Sequence, residues 1–152
     1  MIIDVHGHYT TAPQGLAAYR GGQIGQMGNP IKGRLTLSDE QIRETIEQGQ
    51  LALQRDRGTD LVLFSPTAGG MGHHFGNPLI SRFWTETCNE LIHRVCQLFP
   101  TSFVGVCQLP QSPGVSPQNC IAELERCVEQ FGFVACNLNP DPSGGYWTDP
   151  PM

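Results

Sequence analysis

The sequence is short of lysine and of long apolar runs. Lys32 is the only lysine, and nine basic against 14 acidic residues give a formal net charge of −5. A basic nucleic-acid-binding surface is therefore not expected. No apolar run approaches the roughly 20 residues that cross a bilayer. The N-terminus also lacks the basic and apolar regions of a secretory signal, so we expect a cytoplasmic protein that binds neither nucleic acid nor membrane.

The six cysteines lack the spacings of a zinc ribbon or a redox pair. No two of them form a CxxC motif, and most sit inside apolar patterns. Without a secretion signal, a disulfide framework is the weaker of the two interpretations. We expect reduced thiols that are buried as small apolar groups.

What the chain does contain is an alternation of apolar strands and amphipathic helices. Strands are predicted at 1–9, 60–66, 103–107 and 133–138, and helices at 39–57, 79–99 and 117–131. Ser38 and Gln41 have capping-box spacing, and Gly58 and Gly132 fit helix C-termini. In the predicted last helix, Ile121, Leu124 and Val128 are expected on the buried side. The glycine-rich stretch 10–33 favours an irregular loop with at most one helical turn.

This order of elements predicts an α/β fold with parallel strands joined by right-handed crossovers. A closed (β/α)8 barrel needs about 250 residues, and no helix follows the fourth strand. We therefore interpret residues 1–152 as a single partial domain, the N-terminal half of a TIM-type barrel with about four βα units. A complete four-stranded α/β domain is the alternative.

His6 and His8 stand at the end of the first predicted strand. Side chains alternate along a strand, so Asp4, His6 and His8 are expected on one face, and Ile3 and Val5 on the other. Two neighbouring imidazoles suit a zinc or similar divalent ion, which needs about three protein ligands in a catalytic site. Asp4 is expected to lie outside the ligand set. Two solvated strand-end histidines are the alternative.

Three further strand-end segments reach the same edge of the predicted sheet: the loop that contains His73 and His74, residues 108–113 and residues 137–146. His73 and His74 lie in a glycine-rich loop and suit proton transfer, although a solvated loop explains them equally well. Asn137, Asn139 and Ser143 follow the fourth strand as candidate substrate contacts, and turn formation is their alternative. Solvent exposure is favoured over carboxylate binding for Arg20, Arg34 and Arg82. His93 is expected to be structural.

Four stretches resemble the amidohydrolase-2 branch of the metal-dependent amidohydrolase superfamily. They are Ile2-Ile3-Asp4-Val5-His6-Gly7-His8 through Pro13, Met71-Gly72-His73-His74, residues 109–115 and residues 137–145. The resemblance implies a (β/α)8 barrel with one zinc ion, and His6 and His8 match the ligands of the family's first strand. It further implies a hydro-lyase of protocatechuate 4,5-cleavage that adds water to 4-oxalomesaconate, giving 4-carboxy-4-hydroxy-2-oxoadipate.

One departure from the family limits this expectation. The family's later histidine ligand, carboxylate ligand and acid/base carboxylate belong to strands that the 152 residues do not contain. The chain by itself is therefore expected to lack part of the active site. Two alternatives remain open: a metal-dependent decarboxylase or hydrolase of another carboxylate, and a non-catalytic half-barrel. The expected partners are a small polycarboxylate substrate and further copies of the chain in a homo-oligomer.

Overall fold

Four parallel strands form one sheet in sequence order. The computed structural model describes residues 1–9, 12–67 and 77–139. The strands are β1 (Ile3–His8), β2 (Leu61–Ser65), β3 (Phe103–Gln108) and β4 (Ala135–Asn137), each paired in parallel with its neighbour. The predicted α/β half-barrel topology is confirmed.

In the part of the chain that the structure describes, five helices connect the strands and cover the sheet. They are α1 (Gln14–Gly25), α2 (Asp39–Gln48), α3 (Gln50–Arg57), α4 (Pro78–Leu98) and α5 (Ile121–Phe131), the last preceded by a short 3-10 turn at Pro117–Cys120. The main core lies between the sheet and the helices, where Phe64 and Phe103 pack with ring centroids 4.8 Å apart. Among these helices, none has the length and apolarity needed to cross a membrane.

The predicted helix ends are largely confirmed. The Ser38 hydroxyl accepts a hydrogen bond from the Gln41 amide, and the Gln41 side chain accepts one from the Ser38 amide. Gly58 and Gly132 terminate α3 and α5 at positive φ of 65° and 69°. The single helix expected over 39–57 is instead divided at Gly49 into α2 and α3.

The loop expected over 10–33 was wrong for half of its length, because α1 occupies 12 of those residues. Tyr19 and Gln23 bury one side of α1, and the Tyr19 ring stacks on Trp84 of α4 at 6.0 Å. Gly21 and Gly22 have open space where a Cβ would stand. Packing against α4 thus outweighs the low helix propensity of glycine.

The predicted buried side of α5 was also wrong in part. Ile121 and Val128 are 51% and 49% exposed, whereas Glu123 and Cys127 are buried. Glu123 is hydrogen-bonded to side chains of α4 and α5, and these contacts hold its face of α5 towards the interior. All six cysteines are free, and four are buried (Cys88, Cys107, Cys120 and Cys127), as expected for reduced thiols.

Candidate metal centre at the end of the first strand

A β-bulge interrupts β1 just before its histidines. Asp4 pairs with Val62 and Gly7 pairs with Phe64, so two residues of β1, Val5 and His6, lie opposite Leu63 alone. Bulges of this kind shift the alternation of side chains and commonly occur beside functional sites. The Asp4 carboxylate accepts a hydrogen bond from the His6 amide at 3.0 Å, within the bulge.

The bulge decides which face of the sheet the histidines occupy. Asp4 and Gly7 pair with Val62 and Phe64, which are buried against the helices. A Cβ on Gly7 would lie 2.0 Å from Val62 Cγ1, which confirms that Gly7 faces the helices. His8, one residue further, therefore faces the opposite side of the sheet. The expectation that Asp4 shares a face with His8 was wrong, because the extra residue reverses the alternation.

His6 and His8 lie side by side at this rim. Their ring centroids are 5.9 Å apart and their planes meet at 84°. His6 is exposed and His8 is half-buried. His8 Nδ1 lies 3.2 Å from the carbonyl oxygen of Tyr9. Since a carbonyl only accepts, Nδ1 carries the proton in this contact, and the lone pair of Nε2 remains available to a metal ion.

The donor set fits part of a divalent metal site. Two adjacent imidazoles with one oriented nitrogen match zinc and related ions. Within residues 1–9, 12–67 and 77–139, no group of three or more His, Cys, Asp or Glu side chains has the arrangement of a metal site. His6 and His8 could supply two donors to such a site, and no third His, Cys, Asp or Glu side chain among the described residues joins them.

The neighbouring strand end is tied to β1. The buried hydroxyl of Ser65 donates to the Gly7 carbonyl at 3.2 Å, and Ser65 is paired with His8. A cavity of about 180 Å³ runs along β1 and is lined by Asp4, His6, Gly7 and His8 together with side chains of α3. The Ser65 hydrogen bond and the pairing of Ser65 with His8 join the carboxyl ends of β1 and β2.

The carboxyl ends of β3 and β4 lie at the same edge of the sheet. Asn137 pairs with Gln108 at the last position of the β3–β4 ladder. Gln111, which is 5% exposed, binds the backbone of Asn139 through both of its amide atoms. The sequence prediction that Asn137 and Asn139 reach the strand-end rim is consistent with this placement. His73, His74 and Ser143 lie outside the described residues.

Asn89 and Gln111 are two positioning side chains that sequence reasoning missed. Asn89 is fully buried in α4, and its amide donates to the Gln108 carbonyl at 3.0 Å and accepts from the Gln108 amide at 2.8 Å. Its amide also donates to buried Glu123 at 2.7 Å. A polar residue beside Cys88 within the apolar stripe of α4 is the signal that would have identified it.

Two of the remaining predicted candidates, Arg82 and His93, have structural partners. Arg82 lies 3.5 Å from Glu86 and its guanidinium covers the Phe83 ring. His93 stacks on Phe131 with ring centroids 4.3 Å apart, as its predicted structural role requires. Burial, and then the nearby Arg126 charge, lower the pKa of His93.

The chain belongs to the amidohydrolase family, because the family model described as amidohydrolase matches residues 3–152. Over 154 aligned residues it is 49% identical to 2-keto-4-carboxy-3-hexenedioate hydratase of Sphingobium sp., covering 100% of this chain and 45% of that relative. It is 50% identical to the crystal structure of 4-oxalomesaconate hydratase from Rhodopseudomonas palustris, with a TM-score of 0.85 and coverage of 100% and 45%.

More distant relatives share the fold. The structure of 5-carboxyvanillate decarboxylase from Sphingomonas paucimobilis matches with a TM-score of 0.64 at 21% identity, covering 98% of this chain and 45% of that one. These matches identify the four βα units as one part of a TIM-type barrel. The chain spans about half the length of the relatives that it matches.

Proposed function

We propose that this chain forms the part of a hydro-lyase that carries the first two metal ligands, and that the reaction is addition of water to 4-oxalomesaconate, giving 4-carboxy-4-hydroxy-2-oxoadipate. The observation that carries the proposal is the His6–His8 pair on the strand-end rim of a chain 49–50% identical to two hydratases. Aromatic-acid catabolism in the cytoplasm is part of the same proposal.

The proposed cofactor is Zn²⁺ or another divalent metal ion. His6 and His8 would hold it, and His8 is oriented by its contact with the Tyr9 carbonyl. A dihydroxybenzoic acid decarboxylase from Polaromonas sp., 20% identical and similar in fold, has a structure with bound manganese. When bound, such an ion polarises substrate oxygens and stabilises developing negative charge.

The chain's own residues would bind and orient the substrate. Ser65 fixes the end of β1 by donating to the Gly7 carbonyl. The side-chain amide of Asn137, together with those of Asn139 and Gln108 at the same rim, suits hydrogen bonding to a polycarboxylate. Ser143 is proposed as a further substrate contact, and His73 and His74 as acid/base groups; all three lie outside the described residues.

The test is hydration by the product of the complete coding sequence that contains residues 1–152. After loading with Zn²⁺ or Mn²⁺, the protein is mixed with 4-oxalomesaconate, and loss of the conjugated double bond is followed by ultraviolet absorbance and NMR. Hydration that His6→Ala and His8→Ala abolish supports the proposal. A loaded, folded protein that leaves 4-oxalomesaconate unchanged contradicts it.

A matched histidine control separates the metal role from general effects of losing a ring. His93→Ala removes a histidine that stacks on Phe131 in the helical layer, away from the strand ends. It should lower stability while the bound metal per chain stays at the wild-type value. Equal metal loss in the His93 and His6 variants would contradict the assignment of His6 as a ligand.

A non-catalytic half-barrel is the second candidate, because the described residues supply only two ligands. Ile3, Val5 and Leu138 are 46%, 72% and 61% exposed on the outermost strands and the end of β4. Association with further copies of the chain would cover such residues, and we propose a homo-oligomer on that ground. Metal content per chain and the mass in solution, measured on the 152-residue chain, distinguish this candidate from the hydratase.

A further inference from the structure

We propose that Asp4 is a positioning residue that holds the β1 bulge and thereby sets the face on which His6 and His8 present their rings. Asp4 acts through the backbone rather than by binding a metal ion. This inference rests on the proposed metal site for its function. Its structural part concerns only the geometry of β1.

A side-chain hydrogen bond lies within the β1 bulge. Two residues of β1 lie opposite Leu63, and a bulge leaves an extra residue without a regular ladder partner. The His6 amide donates to Asp4 Oδ1 at 3.0 Å. Aspartate characteristically accepts from the amide two residues further along the chain. The Asp-x-His order therefore builds the acceptor for the bulged amide into the local sequence.

The bulge prevents His6 and His8 from facing the same side of the sheet as Asp4. With strict alternation, residues 4, 6 and 8 would share the face on which Asp4 neighbours Val62. That face is the buried one, where Val62 and Phe64 are 1% and 0% exposed. Both imidazoles would then be directed towards the helical layer, away from substrate and from other ligands. One extra residue in β1 moves the His6–His8 pair to the opposite face while Asp4 stays behind.

Asp4 is not expected to bind the metal ion that is proposed at His6 and His8. Asp4 and His8 lie on opposite faces of the sheet, with the backbone of β1 between them. The cavity that Asp4 borders beside α3 is also lined by His6 and His8, but within the described residues no group of three His, Cys, Asp or Glu side chains could hold a metal ion. The direct contact through which the Asp4 carboxylate acts on the histidines is the hydrogen bond from the His6 amide. What the role needs is a hydrogen-bond acceptor at this position, and negative charge is not required.

The experiment compares Asp4→Ala with Asp4→Asn. Asparagine keeps the Oδ1 acceptor without the charge, whereas alanine removes the acceptor. The first measurement needs no metal: the NMR shift and hydrogen exchange of the His6 amide. The second is the affinity for Zn²⁺ by competition with a chromophoric chelator. We expect Asp4→Ala to weaken Zn²⁺ binding by about 10- to 100-fold, as is typical when a group that orients a ligand is lost, and Asp4→Asn to restore it.

Asp60→Ala is the matched control. The Asp60 carboxylate also accepts an amide hydrogen bond, from Ile2 at 2.6 Å, but Ile2 directly precedes β1, at the far end of the strand from the histidines. It should lower stability without changing the His6 amide or the Zn²⁺ affinity. Thermal unfolding of each variant establishes that the compared proteins are folded.

Each outcome is decisive. If Asp4→Asn loses Zn²⁺ affinity as completely as Asp4→Ala, the charge matters and the positioning role is overturned. If Asp4→Ala leaves the His6 amide unchanged, the bulge does not depend on Asp4, and the inference is wrong. If the wild-type protein binds no metal but Asp4→Ala still alters the His6 amide and Asp4→Asn restores it, the metal proposal fails while the geometric role of Asp4 stands.

Discussion

Gln111 and Asn139 are joined by a two-point contact that prolongs the β3–β4 pairing beyond the end of the strands. The Asn139 amide donates to Gln111 Oε1 at 2.9 Å, and Gln111 Nε2 donates to the Asn139 carbonyl at 3.4 Å. The side-chain amide of Gln111 makes the two hydrogen bonds that the backbone of a neighbouring strand would otherwise make. The contact fixes the backbone of Asn139 at the strand-end rim.

Gln111→Ala should therefore destabilise the protein by about 1–2 kcal/mol, because a buried side chain loses two backbone hydrogen bonds. Urea denaturation measures the change. Gln48→Ala is the control, since exposed Gln48 contacts only Glu44 in the same helix at 3.4 Å. Equal effects of the two substitutions would mean that the Gln111 contact contributes nothing specific.

Gly7→Ala should destabilise the protein by about 1–3 kcal/mol through overpacking. The added Cβ would stand 2.0 Å from Val62 Cγ1. Trimming that neighbour in the double variant Gly7→Ala, Val62→Ala should recover part of the loss relative to Val62→Ala alone. Gly21→Ala is the opposite case: it lies in α1 with open space around it, and should stabilise by about 0.5–1 kcal/mol. Thermal unfolding of all four variants tests the prediction.

Asn89→Leu should cost about 2–5 kcal/mol, because it leaves the amide and carbonyl of Gln108 buried without partners. Both groups bond to Asn89 at 2.8 and 3.0 Å. Chemical denaturation gives the loss, and amide exchange locates it. Exchange should accelerate first at the end of β3, next to Gln108. Uniform acceleration throughout the chain would indicate a general packing defect instead.

His93 should make the stability fall as the pH is lowered. Burial and Arg126 hold the pKa of His93 below its ordinary value, so the folded protein binds this proton less readily than the unfolded chain. The contribution of His93 to the free energy of unfolding is fully present above the ordinary pKa of about 6.5. It is lost as the pH falls below that value towards the lowered pKa of the folded state. His93→Phe keeps a ring to stack on Phe131 and removes the titration.

Urea denaturation at about pH 7.5 and about pH 5.5 tests this linkage. The decrease in the free energy of unfolding between the two conditions should be smaller for His93→Phe than for the wild type. The other histidines are common to both proteins and cancel in the comparison. An identical decrease in both proteins would show that His93 titrates in the folded state as it does in the unfolded chain.

Much of the fold was predictable because local chemistry and global topology agree. Apolar runs identified the strands, and Ser38 with Gln41 marked the start of α2. Gly58 and Gly132 ended helices in the left-handed conformation that glycine tolerates. Where local propensity and packing disagreed, packing decided. Packing contacts stabilise a helix in the glycine-rich segment. The buried polar contacts of Glu123 hold its side of α5 towards the interior.

The candidate site divides in the same way. The sequence by itself determined that His6 and His8 are two residues apart at the end of a strand. This depends only on the order of the residues and on the apolar pattern before them. The tertiary structure decided which face they occupy, because the face depends on the pairing of β1 with β2 and on one unpaired residue. Alternation follows from the covalent chain, but a bulge is a relation between two strands and becomes visible only when both are in place.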